Sequence, residues 1–311
     1  MSKNIKKFIS VKDLDFNFIE KIFYLASNFK KESLNFNFEK EIISLLFYEN
    51  STRTKKSFQI AAENLKCKII DFEIKTSSIQ KGENLKDTIQ TLLNLGSRIF
   101  VIRHSISQIY KSLIKEFEEE NIYIINAGDG SNEHPSQALL DLFTLYEDVG
   151  GFKELKNKNL VIIGDCLHSR VARSNIYLLK KFGINVSLVG PRALIPSCFE
   201  ELDVKIFHNL KEGLSKADFI MVLRLQKERQ EHSFLNNINE YIKNFGINEE
   251  NLKANEINIK NIKILHPGPV NRDVELSSEY MDNKNISLIN QQAKNGLFIR
   301  MALLYDFLNQ L

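Results

Sequence analysis

An α/β fold in two domains, each a parallel β-sheet flanked by helices, is the expectation for this sequence, and three observations lead to it. The 311 residues are about two lengths of a common ~150-residue domain. Short runs rich in Ile, Val and Phe recur along the chain and alternate with stretches whose apolar residues repeat at helical spacing. The runs are continuously apolar rather than alternating, as strands must be when helices cover both faces of a parallel sheet.

Strands are expected at 42–48, 99–102, 122–125, 160–163, 186–189, 219–223 and 262–265. Helices fill the intervals. Phe58, Ala61, Ala62 and Leu65 stand at i, i+3, i+4 and i+7, and Leu139, Leu142, Phe143 and Tyr146 repeat that spacing. The second helix ends near Asp148 at Val149-Gly150-Gly151, where two glycines can stop it, and this places a domain boundary between 148 and 149. The polar, Asn-rich stretch 226–260 reads as mobile loop around short helices. Ala293, Leu297, Met301 and Leu304 carry helical spacing through the terminal segment 291–311, which periodicity alone leaves open to either domain.

Composition narrows the class of protein. Lys and Arg number 42 against 39 Asp and Glu, a net charge of +3, with 43% hydrophobic and 26% charged residues. Such a chain is neither disordered nor a bulk polycation for nucleic acid, so any basic site must be local. Cys67, Cys166 and Cys198 have no paired spacing, which argues against a disulfide framework or a zinc site and suits a reducing cytosol. Residues 1–16 lack a signal-peptide core and no run nears the ~20 apolar residues of a membrane span, so a cytoplasmic protein is expected.

Chemistry is concentrated where strands end. After the first run, Tyr48-Glu49-Asn50 leads into Ser51-Thr52-Arg53-Thr54 and the helix of Phe58. The N–H groups of a helix start, with hydroxyl and guanidinium donors, can hold a phosphate without a Gly-rich loop; the plainer alternative is a Ser or Thr N-cap beside a surface arginine. His134-Pro135-Ser136-Gln137 follows the turn-rich Gly128-Asp129-Gly130. It can read a carbonyl and an amide, or it is a cap with a core histidine. His266-Pro267-Gly268-Pro269 offers stiff backbone carbonyls, or is a strand-ending turn. Arg103, Arg170 and Arg224 each follow a different strand, and arginines recurring at the carboxyl edge of a sheet suit a polyanion. Gly164-Asp165 lacks the further glycines of a dinucleotide fingerprint, so no nicotinamide cofactor is expected.

Together these residues resemble the aspartate/ornithine carbamoyltransferase family across nearly the whole chain. The matching elements are Ser51-Thr52-Arg53-Thr54, Ser77 with Lys81-Gly82-Glu83, Arg103-His104, Gly128-Asp129-Gly130 with His134 to Gln137, Gly164-Asp165 with Ser169-Arg170, Arg224-Leu225-Gln226 with Glu228-Arg229, and His266-Pro267-Gly268-Pro269. Members that use ornithine carry a late His-Cys-Leu-Pro motif and a Ser-Met-Gly loop; here Pro267-Gly268 replaces the Cys-Leu pair and no Ser-Met-Gly occurs. Lys81 and the Arg-x-Gln at 224–226 look like the aspartate-using type.

The resemblance implies carbamoyl transfer from carbamoyl phosphate to aspartate. By it, Ser51, Thr52, Arg53, Thr54 and Ser77 hold the phosphate, while Thr54, Arg103 and His134 meet the carbonyl oxygen. Gln137 and the backbone at Pro267 and Gly268 meet the carbamoyl amino group, and Pro269 belongs to the same carbamoyl phosphate site. Lys81, Arg170, Arg224 and Gln226 hold aspartate, and Arg53, Thr54, Lys81, Arg103 and His134 form the catalytic set. It also implies a domain 1–148 for carbamoyl phosphate, joined by the returning helix 291–311, a domain 149–290 for aspartate, and a homotrimer whose Ser77–Lys81 loop serves the neighbour's site. No metal and no cofactor are expected. A regulatory chain or a dihydroorotase partner has no readable motif. Another amine acceptor, such as ornithine, or a non-catalytic anion-binding protein on the same fold are the competing readings.

Overall fold

The computed structural model describes residues 6–31, 36–72, 84–225 and 238–311. The chain forms two compact units, Met1–Leu139 with Lys294–Leu311, and Leu140–Ala293. In the first, β1 (Lys6–Phe8), β2 (Ile42–Phe47), β3 (Lys68–Phe72), β4 (Ile99–His104) and β5 (Tyr123–Asp129) form one sheet in the order β1-β5-β4-β2-β3. Every pairing is parallel, so each crossover needs a connecting element across a face, here α1 (Phe16–Lys31), α2 (Thr52–Asn64), α3 (Leu85–Asn94) and α4 (Tyr110–Glu116). Leu46, Phe100, Ile102 and Ile124 of the strands pack on Leu85, Ile89 and Leu92 of α3 and Tyr110 of α4. Burial of such a side chain contributes roughly 1.5–3 kcal/mol.

Helix α5 (Pro135–Val149) follows β5 and ends at Gly150 and Gly151, both with positive φ. The unit boundary lies within this helix, at Leu139, rather than at the glycines where a break was expected. Its apolar periodicity runs unbroken from Leu139 to Tyr146, so the chain changes unit without a linker.

The second unit continues with α6 (Phe152–Leu155), β6 (Asn159–Ile163), α7 (Arg170–Lys181), β7 (Asn185–Val189), β8 (Lys205–Phe207), α8 (Leu210–Leu214) and β9 (Phe219–Val222). Then come α9 (Ile238–Phe245), α10 (Glu249–Ala254), β10 (Lys263–Leu265), α11 (Ser278–Asp282) and the start of α12 (Ile289–Leu308). Its sheet is again parallel throughout, in the order β10-β9-β6-β7-β8. Of the stretch expected to be mobile loop, 226–237 lies outside the described residues and the remainder holds α9 and α10.

From Lys294 onward α12 belongs to the first unit, where Arg300 lies 5.2 Å over the Phe58 ring and Asp306 pairs with Lys21. All seven expected strands are present, with ends shifted by a few residues. Strands β1, β3 and β8 were not expected. All three are sheet edges, and β3 and β8 are half exposed, so they carry no continuous apolar run. Among the described residues no helix is long and apolar enough to cross a membrane.

Gly213 in α8 faces Val189, fully buried on β7, and a Cβ there would overlap the Val189 Cγ2 methyl. Helix propensity favours Gly213→Ala by up to about 1 kcal/mol, whereas overpacking a core costs about 1–3 kcal/mol. Since Val189 is held on both sides by β6 and β8, the clash is expected to win. Urea unfolding of Gly213→Ala should show a lowered midpoint with an unchanged m-value.

Candidate active site

In each sheet, one pair of adjacent strands sends its outgoing connections in opposite directions. In the first unit these are β2 and β4; in the second, β6 and β9. Crevices of this kind at the carboxyl ends of parallel strands are where open α/β sheets bind ligands. Among the described residues singled out above, Ser51 to Thr54, Arg103, Arg170 and Arg224 lie at or after the ends of strands of these two pairs.

In the first unit Phe47 pairs with Arg103 across β2 and β4, so Tyr48 and Glu49 leave the sheet beside Arg103. The Arg103 guanidinium is buried; it donates to the Ala127 carbonyl at 3.2 Å and pairs with Glu49 at 3.2 Å. Ser51 occupies the N-cap position of α2, yet its side chain makes no capping hydrogen bond. The simple N-cap reading is thereby set aside, and the first-turn N–H groups remain available along with that hydroxyl. Thr52 and Arg53 are exposed, and Arg53 makes no ion pair among the described residues. Thr54 is buried, with its Oγ1 3.4 Å from Nε2 of His134.

His134 is placed from below by two carboxylates. Asp129, fully buried, accepts from the N–H of Gln108 (2.7 Å), the N–H of Glu133 (3.1 Å) and the amides of Asn126 and Asn132 (3.1 and 3.0 Å). Glu133 accepts from Ser10 Oγ (2.6 Å) and the Val11 N–H (2.9 Å). The His134 carbonyl then receives the N–H groups of Gln137 and Ala138, which starts α5 and buries Gln137 at its first turn.

In the second unit β6 runs into Gly164, whose φ of +118° suits glycine. A Cβ there would stand 2.8 Å from the Leu223 carbonyl oxygen, so the turns after β6 and β9 touch at the switch point. Buried Asp165 accepts from the His168 N–H (3.2 Å) and pairs with its Nδ1 (2.9 Å), while Ser169 caps α7 by accepting from the Ala172 N–H (3.1 Å). This delivers Arg170, buried, at the first turn of α7, with half-buried Arg224 just beyond β9. After β10, His266 is buried, Pro267 and Gly268 are half-buried and Pro269 is exposed.

Ser77, Lys81 and Gln226 lie outside the described residues. Ser51, Thr52, Arg53, Thr54, Arg103, His134 and Gln137 gather at the first sheet's carboxyl edge; Arg170, Arg224 and the loop of Pro267, Gly268 and Pro269 follow strands of the second. Sequence reasoning assigned no role to Glu49, Asp129, Asp165 or Glu133. A carboxylate next to a cationic motif in the sequence was the available signal, and only strand register shows which of them turns inward. Among the described residues no three His, Cys, Asp or Glu side chains are grouped to hold a metal ion.

Residues 6–147 match the family model described as "Aspartate/ornithine carbamoyltransferase, carbamoyl-P binding domain", and residues 156–307 match the "Aspartate/ornithine carbamoyltransferase, Asp/Orn binding domain". The aspartate carbamoyltransferase catalytic subunit of Microcystis aeruginosa is 45% identical over 273 residues, covering 85% of this chain and 83% of that protein. That of Acetivibrio thermocellus is 43% identical over 305 residues, covering 96% and 95%. Among solved structures, Trypanosoma cruzi aspartate transcarbamoylase in complex with N-(phosphonacetyl)-L-aspartic acid superposes with a TM-score of 0.84 at 30% identity, covering 97% of this chain and 95% of that one. The same protein with carbamoyl phosphate and aspartate gives 0.83 at 29% identity, covering 97% and 96%.

His104 ends β4 next to this cluster, with Nδ1 accepting the Ile106 N–H at 3.0 Å and its ring 5.0 Å from that of Tyr48. Burial holds its pKa below the ordinary histidine value, against a smaller opposing pull from Glu49. The unfolded chain therefore takes up this proton first as pH falls, so the contribution is full above the ordinary value of about 6.5 and is lost below it. His104→Asn keeps an acceptor for Ile106 and removes the titration. Stability measured by urea titration from pH 8 to pH 5 should fall less steeply in the variant than in the wild type.

Proposed function

The chain belongs to the aspartate/ornithine carbamoyltransferase family, and on that premise we propose that it transfers the carbamoyl group of carbamoyl phosphate to the α-amino group of L-aspartate, releasing N-carbamoyl-L-aspartate and phosphate. This is a step of de novo pyrimidine synthesis. The observation that carries the reading is the start of α2, where an N-cap serine that caps nothing and an exposed Arg53 stand at a sheet switch point beside buried Arg103.

The amine lone pair of aspartate attacks the carbonyl carbon, the bond from that carbon to the phosphate oxygen then breaks, and the amine proton leaves with phosphate. Ser51, Thr52, Arg53 and Thr54 bind the phosphate through the orphan N–H groups and side chains of the first turn, joined by Ser77. Thr54, Arg103 and His134 take the carbonyl oxygen, where charge grows, and fixed donors there lower the barrier more than any other contribution. Gln137 and the backbone carbonyls of Pro267 and Gly268 take the carbamoyl amino group. Arg170, Arg224 and Gln226 hold the two carboxylates of aspartate, and Lys81 reaches both substrates. Holding two anions in reacting geometry supplies much of the remaining rate. The route uses no metal, cofactor or covalent nucleophile; Cys166, in the turn after β6, is kept as the neutral thiol because burial pushes its pKa up.

A cationic pocket suits a dicarboxylate and repels the extra ammonium of ornithine. Purified protein given labelled carbamoyl phosphate should therefore carbamoylate aspartate and leave ornithine nearly untouched. Equal rates with the two amines would reject the aspartate assignment.

The assembly proposed is a cytoplasmic homotrimer in which the loop bearing Ser77 and Lys81 completes the neighbour's site. Arg53→Ala and Lys81→Ala trimers should then each be almost inactive. Dissociating and remixing them in equal amounts makes about one site in four fully wild type, so activity should recover to roughly a quarter. Remixed trimers as inactive as either parent would place Lys81 in its own subunit's site.

A further inference from the structure

In His266-Pro267-Gly268-Pro269, after β10, every backbone N–H is either missing or engaged, the His266 N–H by Gln292. Pro267 and Pro269 have no N–H, and the N–H of Gly268 is turned inward to Nδ1 of His266 at 2.8 Å. Among the described residues no hydrogen bond ends on the carbonyl oxygen of Pro267 or of Gly268, and Gly268 holds a φ of 72°. Two such carbonyl acceptors suit a donor.

Two buried side chains keep the loop in that shape. Because Nδ1 of His266 accepts from Gly268, the neutral ring carries its proton on Nε2, which faces Oε1 of Glu275 at 3.3 Å. The same Oε1 accepts the N–H of Asn271 at 2.6 Å, so one carboxylate oxygen closes the loop from both ends. Glu275 is wholly buried. The loop is anchored at its start by Gln292 of α12, whose Oε1 accepts the His266 N–H (3.0 Å) and whose amide donates to Asp141 (2.6 Å), which also receives the Asn175 amide (2.8 Å).

We propose that Glu275, with Gln292 behind it, is the positioning residue that aims the Pro267 and Gly268 carbonyls at the carbamoyl amino group, and so sets the preference for a carbamoyl over an acyl donor. The inference rests on the carbamoyl-transfer reading. Losing this support frees a loop that otherwise has only glycine and proline to stiffen it, and misaimed acceptors no longer tell an NH₂ from a methyl group of the same size.

The test compares two stable phosphonates that differ only there: phosphonoacetamide and its methyl ketone counterpart, 2-oxopropylphosphonate. Dissociation constants are measured by calorimetry on the full chain, with turnover of carbamoyl phosphate and aspartate followed in parallel. The wild type should prefer the amide. Glu275→Ala should lose about tenfold of that preference, as expected for one or two hydrogen bonds, with little change for the ketone. Glu275→Gln retains an acceptor at Oε1 and should keep most of the preference. Should Glu275→Ala not fold, Gln292→Met, which is close in volume and lacks the acceptor for His266, is expected to show the same loss. A folded Glu275→Ala or Gln292→Met with an unchanged amide-to-ketone ratio, or equal weakening of both ligands, would overturn the positioning role. A wild type that turns over no carbamoyl phosphate would instead overturn the functional reading beneath it.

Discussion

A parallel strand pair cannot be closed by a hairpin. The chain must cross a face of the sheet before the next strand begins, and every strand therefore releases its following loop at the same edge. Both units obey this without exception among the described residues, and in both the strand order reverses at one internal pair, β2 with β4 and β6 with β9. At such a pair the departing loops diverge and leave a crevice. Arg103 reaches the first crevice because its partner in register is Phe47, the last residue of β2. At the second, Gly164 is obligatory because the Leu223 carbonyl occupies the space a side chain would need. Residues that meet at such an edge need no sequence proximity, since pairing parallel strands in register brings their ends together.

Loops at that edge must present cations and donors while staying rigid, and buried carboxylates achieve this. Asp129, Asp165 and Glu275 are each fully buried, and each receives backbone N–H groups of its own loop together with a side chain. A hydrogen bond to a charged group is worth about 1.5–3 kcal/mol, so two or more of them hold a turn against the entropy of a loop. Glu49 does the same for a side chain, fixing Arg103 in one orientation. Donors that are already oriented need no rearrangement when charge develops on a substrate oxygen, which is the condition under which electrostatic stabilisation is most effective.

Much of this was legible in the sequence, and the rest was illegible for definite reasons. Interior strands are buried on both faces and read as apolar runs; β3 and β8, at sheet edges with exposed Lys68, Asp71 and Lys205, do not. Strand order is written in no local pattern, so the arginines could be seen to follow strands without revealing which strands are neighbours. Ser51 shows the limit at a single residue. Its sequence context is that of an ordinary N-cap, and only the conformation of the hydroxyl separates a cap from a ligand-binding group. The roles of Ser51, Arg103, His134 and Arg224 came from resemblance rather than from periodicity, because motif order across the whole chain holds information that no window of residues contains.

The two His-Pro pairs make the same point in chemical terms. In both, proline contributes no N–H and fixes φ, and the sequence reads alike. His134 precedes a helix, so its carbonyl is taken by the N–H groups of Gln137 and Ala138, and its ring is left to lie 3.4 Å from Thr54. His266 follows a strand and precedes a glycine with positive φ, so the nearest donor in need of a partner is the Gly268 N–H, and the ring turns inward to accept it. In the first pair the ring lies against Thr54 and the carbonyl is taken by the helix. In the second the ring is taken by the loop, through the Gly268 N–H and Glu275. Which part of the dipeptide the local structure engages is decided by whether a helix or a glycine turn comes next.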